Sequence, residues 1–366
     1  MFDIGALQIV RTIGAAFNPH QNNFDIIRLA AASLVVISHS YGFLKYPEPL
    51  AYWLGGYETG GGWAVSIFFV ISGFLIARSC EQRPILTYVT SRLFRIIPAL
   101  AVLLLLDVFV VGPVFTSFPL HHYFLNVGIF KHLLNVTVFI QYHKLPGVFN
   151  GTGVNGTIWT LPIEFACYLL LPFLAALFLL KQRLVLIPLF ITVYLYWSAI
   201  QSGFSWNNQG GYIFSGLPYY STLRNGLFFM IGTTMWVHRN QLPLTPLFAA
   251  IALLVLIVGA FGFLKSAAYH IGLSYLTIYC CLARPIPLNL QKWPGDLSYG
   301  TYLYGFPIQK AVLFSPLQPF LTPMILTVIA LPVTFALAYL SWHFVEKPAL
   351  TLARRRKMAQ NPLAAT

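Results

Sequence analysis

The sequence predicts an all-α polytopic integral membrane protein of about ten transmembrane helices, with both termini cytoplasmic. Three observations carry that prediction. Hydrophobic residues make up 58% of the 366 and charged residues only 8%. A soluble domain carries about a quarter charged residues, so this chain cannot cover a soluble surface. Apolar runs of about 17–25 residues recur along its whole length, each long enough for a bilayer core of ~30 Å. The basic residues between those runs are strongly biased to one side. The same composition excludes disorder, collagen and coiled coil.

The runs, in order, are 24–43, 63–79, 97–116, 158–180, 184–200, 219–237, 243–263, 268–283, 297–315 and 323–344. An even number of crossings places both termini on one side. Sixteen Lys and Arg then fall on the side of the termini, Lys292 and Arg354 to Lys357 among them, and six on the other. That ratio makes the terminal side cytoplasmic. It also accounts for the net charge of +13 without nucleic acid, since no single soluble face gathers the cations. The residues before 24 form a cytoplasmic N-terminus and 349–366 a basic cytoplasmic tail, around one transmembrane domain. No cleavable signal is evident at the N-terminus. The longest outer connection, Ser117 to Thr157, is rich in His, Asn and Gly. Its segment 131–142 is apolar but short, which predicts an interfacial or re-entrant piece. Asn135, Asn150 and Asn155 begin glycosylation-type triplets, a weak pattern that reads as polar loop. The four cysteines show no metal spacing and read as packing residues. Trp53, Trp63, Trp159 and Trp206 near outer span ends read as interface anchors.

Ionisable side chains within apolar runs are costly and point to function. Arg28 and His39 both lie in the first run, eleven residues apart. At ~100° per residue that is three turns plus ~20°, so both leave one helix face, about 16 Å apart along the axis. Ala32 and Val35 lie between them, flanked by Ala31, and leave room for a narrow channel. An arginine at the mouth and a histidine three turns deeper suit a long, phosphate-headed donor entering end-on. Guanidinium grips phosphate in fork geometry, and imidazole takes a proton from an attacking hydroxyl. The spacing equally allows a snorkelling Arg28 and a His39 bonded to a backbone carbonyl. Asp107, in mid-span, needs a partner, for which Arg224 is the candidate. Glu346 sits at a helix C-terminus, where its charge is disfavoured. It calls for a basic partner from the Arg92/Arg95 loop on the same side.

The chain resembles the membrane-bound acyltransferase-3 family of sugar O-acyltransferases. Asp25, Arg28 and His39 are similar to its opening motif, and Phe68-Phe-Val-Ile-Ser-Gly-Phe74 to its Ser-Gly-Phe signature. Arg92-Leu-Phe-Arg95 followed by Pro98 resembles its Arg-x-x-Arg motif, and Trp159-Thr-Leu-Pro-Ile-Glu164 its Trp-Ser/Thr-Leu-x-x-Glu element. Ser298-Tyr-Gly-Thr-Tyr-Leu303 resembles the ninth-span motif and Glu346-Lys-Pro348 the closing one. The matches run in order from residue 24 to 348. One departure is Gly305-Phe-Pro307, where many members have a histidine shortly before the proline.

The resemblance implies transfer of an acyl group, usually acetyl, from cytoplasmic acyl-CoA to a carbohydrate hydroxyl. No permanently bound cofactor or metal is implied; acetyl-CoA is the donor substrate. On that reading Arg28, Arg92 and Arg95 bind the donor head, its arm passes Ser72 and Gly73, and its thioester reaches the catalytic His39. Ser72 and Gly73 are as readily explained by helix packing through small residues. Glu164, at the outer start of the fourth span, orients His39 or holds the sugar, or simply caps its helix. Asp25, Asp107, Trp159, Arg224, Tyr299, Tyr302 and Glu346 are supporting residues. The partners are membrane lipid, acyl-CoA and a carbohydrate acceptor such as the O-antigen of lipopolysaccharide, an exopolysaccharide or similar, in a bacterial inner membrane. Two alternatives stay open at this point: a secondary transporter of an anionic solute, and an acyltransferase acting on a small lipid or antibiotic.

Overall fold

In a long apolar stretch the helix satisfies every backbone N–H and C=O within the segment, which is why such stretches fold this way. The computed structural model describes residues 11–53, 55–262, 264–286, 290 and 294–360, with side chains as far as 353. Lys292 and the side chains from Arg354 to Lys357, which entered the charge count, lie outside the described residues. Each of the ten apolar runs folds as a helix: α1 (Phe24–Phe43), α2 (Gly60–Gln82), α3 (Ile85–Phe115), α4 (Leu161–Ala176) and α5 (Leu186–Gln201), then α6 (Tyr219–Val237), α7 (Pro246–Ala260), α8 (Lys265–Leu282), α9 (Ser298–Leu313) and α10 (Pro323–Ser341). Among the described residues, five are long and apolar enough to cross a membrane: α1, α2, α3, α4 with its entry turn, and α10 with its extension to Ala353. α5 and α7 are apolar but shorter. The only sheet among the described residues is a two-stranded hairpin, Tyr212–Phe214 with Leu217–Pro218.

α2 lies at the centre, packed along α6 on one side and α1 on the other, while α1 also packs on α9 and α9 on α10. The α2/α6 crossing is close because glycines meet backbone there. A Cβ on Gly73 would collide with the Phe229 carbonyl, and one on Gly232 with the Val70 carbonyl. Small residues at such crossings let van der Waals contact supply the attraction that water does not supply inside a bilayer. The end of the bundle that carries Lys347 and Leu350 is called the basic end below; the end that carries residues 117–157 is the loop end.

Three differences from the sequence reading bear on the site. First, α3 begins at Ile85, after Pro84, so Arg92 and Arg95 are helical and lie on adjacent positions of one face. The stretch 85–97 contains neither Gly nor Pro to stop a helix, and Pro98 is accommodated inside it. Second, Asp107 does not pair with Arg224. Its partner is His132, whose Nε2 is 3.2 Å from Asp107 Oδ2, both side chains fully buried. The short helix Val127–Leu133 delivers His132 against a π-helical turn of α3 at Asp107–Val111. Arg224 pairs with Glu58 from the turn before α2 and lies over the Tyr269 ring.

Third, the connection into α4 does not stay at the loop end. Asn155 donates through Nδ2 to the Leu303 carbonyl at 2.9 Å, and the Tyr302 hydroxyl donates to the Thr157 carbonyl at 2.8 Å. Both partners lie near the middle of α9. Non-helical backbone at such depth is tolerated where protein satisfies it, and Asn155 also accepts from Thr157 N and Oγ1. The re-entrant piece is therefore 143–160, beyond the 131–142 segment that the sequence suggested. Asn135 and Asn155, read from the sequence as polar loop, are buried and hydrogen-bonded within the connection.

Candidate active site

A cavity of about 990 Å³ reaches from the basic end into the middle of the bundle. Arg83, Leu86, Lys347 and Leu350 line its mouth, Arg28, Ser72, Arg92, Glu164 and Tyr168 its middle, and Val65, Thr160 and Tyr302 its far end. Asp25, Arg95 and Tyr299 line it as well. α1, α2, α3 and α4 thus bring together most of the residues singled out in the sequence. His39, Gly73, Trp159 and Glu346 are not on the cavity wall.

The cations divide into two kinds. Arg95 is held by two carboxylates, with Nη2 at 2.6 Å from Asp296 and Nη1 at 3.1 Å from Glu346. Its guanidinium also lies over Tyr299 and Trp342, and Tyr299 donates to the Ile96 carbonyl. Burial works to raise the Asp296 carboxyl, yet Arg95, then Arg28 and the Ser298 hydrogen bonds hold it below the ordinary range. Arg95 is thereby neutralised in place. The basic partner of Glu346 comes from the residues expected, but Glu346 does not end its helix. A π-helical turn at Trp342–Glu346 carries the helix on to Ala353, so burial and not a helix C-terminus calls for the cation. Arg28, Arg83, Arg92 and Lys347, by contrast, make no salt bridge among the described residues. These four leave positive charge facing the cavity.

Gly73 does not face the donor path. Its missing side chain admits the α6 backbone, so of the Ser72-Gly73 pair only Ser72 lines the cavity. Gly73→Leu is expected to lower the amount of folded protein sharply, since overpacking costs ~1–3 kcal/mol even where a core can adjust. Gly73→Leu protein that folds to the wild-type level would show that the crossing has slack.

Glu164 is also displaced from its expected place. Because the chain re-enters before α4 begins, Glu164 sits beside Ser72, whose Oγ donates to it at 3.4 Å, and it accepts from the Tyr168 hydroxyl. Ser72 lies at the depth of Arg28, since α1 and α2 run antiparallel with Gly61 beside Ser38. Arg28 and His39 are about 16 Å apart along the axis, so Glu164 does not reach His39. The orienting role suggested for it is not made by this geometry; Glu164 is a wall residue of the cavity.

His39 lies beyond the far end of the cavity. Its ring packs edge-on to Phe306 at 5.3 Å and near Phe43 at 5.9 Å, and its buried Nδ1 has no hydrogen-bond partner. Gln309, one turn from Phe306, ties α9 to the Val36 carbonyl and Ser40 of α1. Trp159 precedes the cavity residue Thr160 and packs on Trp206 at 5.0 Å. Tyr302 closes the far end, its hydroxyl 2.8 Å from Thr160 Oγ1 and its ring against Phe68. Sequence reasoning missed Arg83, Asp296, Tyr168 and Lys347. Only Lys347, inside Glu346-Lys-Pro348, and Tyr168, one turn beyond Glu164, carried a local signal.

The profile of the acyltransferase domain family matches residues 21–343, from the start of α1 to the end of α10. The chain belongs to the acyltransferase-3 family. An O-acetyl transferase of Shigella phage Sf6 is 31% identical over 345 residues, 91% of this chain and 97% of the relative. Nodulation protein 10 of Rhizobium leguminosarum bv. viciae is 26% identical over 395 residues, 93% of this chain and 97% of its own. No solved structure matches the chain. As an acyltransferase-3 member it is an O-acyltransferase, and its apolar helices make it a multi-pass membrane protein. The transporter alternative falls with that assignment.

Proposed function

We propose that this acyltransferase moves an acyl group, acetyl in the first instance, from cytoplasmic acyl-CoA to a hydroxyl of a surface or exported carbohydrate. The basic end faces the cytoplasm of a bacterial inner membrane, and all ten helices cross, leaving both termini inside. The observation that carries the reading is the cavity lined by four cations that make no salt bridge among the described residues. Phosphates at the mouth meet Arg83 and Lys347, and Arg28 and Arg92 act deeper, through charge-assisted contacts. The arm runs along Ser72 and Glu164, whose oxygens suit the amide N–H groups of a pantetheine chain. The thioester end reaches Phe68 and Tyr302, and a shift of the Tyr302 side chain, which closes the far end, brings it to His39. There the acceptor hydroxyl gives its proton to His39 as its oxygen bonds the acyl carbon. The carbon–sulfur bond breaks, and the proton passes to the departing thiolate, so free CoA leaves.

Purified protein with radiolabelled acetyl-CoA and de-O-acetylated surface polysaccharide from the producing strain tests the reading. Label in the polysaccharide supports it; none above a sample without protein overturns it. Arg92→Ala is expected to fold normally and to weaken acetyl-CoA binding by about one to two decades, the loss of one charge-assisted contact at ~1.5–3 kcal/mol. Unchanged binding, read by calorimetry, would leave Arg92 as a membrane anchor.

A further inference from the structure

The re-entrant piece carries a second imidazole to the depth of the first. His143 Nδ1 is 2.9 Å from the Asn155 carbonyl, and the His143 carbonyl accepts from Val154 N at 2.7 Å. Asn155 is in turn fixed to α9 at Leu303. The next residue, Gly156, lies so close to Phe306 that a Cβ on it would stand 2.7 Å from the ring, and Phe306 packs on His39. The Phe306 ring is thus met by His39 from α1 and by Gly156 from the connection, whose neighbour Asn155 holds His143. Around them the piece is pinned by Lys310, whose Nζ donates to Thr152 Oγ1 at 2.8 Å.

The hydrogen bond to a carbonyl fixes the tautomer. Nδ1 carries the proton, and Nε2 presents a lone pair that no hydrogen bond among the described residues occupies. Burial lowers the affinity of His143 for a second proton, against the smaller opposing effect of the Asn155 carbonyl, so the ring is neutral at pH 7. A neutral, half-buried imidazole with one fixed acceptor atom is matched to a hydroxyl donor. Beside His39 the Phe43 and Phe306 rings, 4.8 Å apart and edge-to-face, offer the apolar surface against which a sugar ring packs.

We infer that His143 is an acceptor-binding residue: its Nε2 accepts a hydrogen bond from a carbohydrate hydroxyl and so positions the sugar against His39 from the loop end. The inference rests on the carbohydrate acyltransferase reading above. It is tested on the full-length purified enzyme with acetyl-CoA and the de-O-acetylated surface polysaccharide as probes, by separate measurement of both KM values. His143→Ala is expected to raise the polysaccharide KM about tenfold, the loss of one hydrogen bond, with the acetyl-CoA KM unchanged. His143→Gln, whose amide oxygen also accepts, is expected to recover part of that loss. His121→Ala, on an exposed part of the same connection, serves as control. An unchanged polysaccharide KM in His143→Ala overturns the inference, as does a parallel rise in both KM values with a lowered melting temperature, which marks a structural role. A wild-type enzyme that acylates no polysaccharide sinks the underlying reading instead.

Discussion

His39→Ala is expected to abolish measurable acyl transfer while leaving acetyl-CoA bound. Loss of a positioned general base typically costs ~10²–10⁴ in rate, and no second group on α1 can replace it. Donor binding survives because His39 lies beyond the cavity, past Tyr302 and Phe306. The measurement is transfer to polysaccharide beside equilibrium binding of acetyl-CoA on the same preparation. Ser38→Ala, which removes a hydroxyl one residue away, is expected to stay active. Ser40 is a poorer control, since its hydroxyl meets Gln309 and Thr327 and helps join α1 to α9 and α10. Transfer at the wild-type rate in His39→Ala would overturn the mechanism even though the family would stand.

The fold was legible where the physics is local. A run of apolar residues long enough for a bilayer has one good solution, and α1 and α6 begin and end where the sequence placed them. The face shared by Arg28 and His39 follows from helical period alone. What escaped was set by contacts between distant segments. Nothing near Asp107 names His132, twenty-five residues on. Their pairing depends on how the outer connection folds back on α3. Glu164 was placed from its position at the start of an apolar run, on the assumption that the run starts at the membrane surface. Asn155, by hydrogen bonding to the middle of α9, carries that start inward, and Glu164 with it. Arg92 and Arg95 looked alike in the motif, and carboxylates two hundred and more residues away, Asp296 and Glu346, separate them.

That separation gives the second large effect. Arg95→Ala is expected to fail mainly in folding, where Arg92→Ala fails in donor binding. Removing Arg95 leaves Asp296 and Glu346 together in a buried site without the cation that bridges both, since Arg28 acts on Asp296 from beyond salt-bridge distance. Breaking a buried pair by deleting one partner costs about 3–5 kcal/mol, a large share of a typical folding stability of ~5–15 kcal/mol. The variant is expected to accumulate poorly and to melt at a clearly lower temperature in detergent, with Arg92→Ala melting like wild type. The second-site test is Glu346→Gln in the Arg95→Ala chain. It removes one of the stranded charges, keeps the side-chain volume and leaves an amide that still accepts from Ser341, so stability is expected to recover in part. Gln alone at 346 is expected to be mild, because Arg95 keeps Asp296 at 2.6 Å. The opposite result is equally clear. If Arg95→Ala melts at the wild-type temperature yet binds acetyl-CoA ten times more weakly, its guanidinium meets the donor directly. Asp296 and Glu346 would then be ligands that yield it on binding, and the division of cations into paired and unmatched would lose its meaning for the donor site.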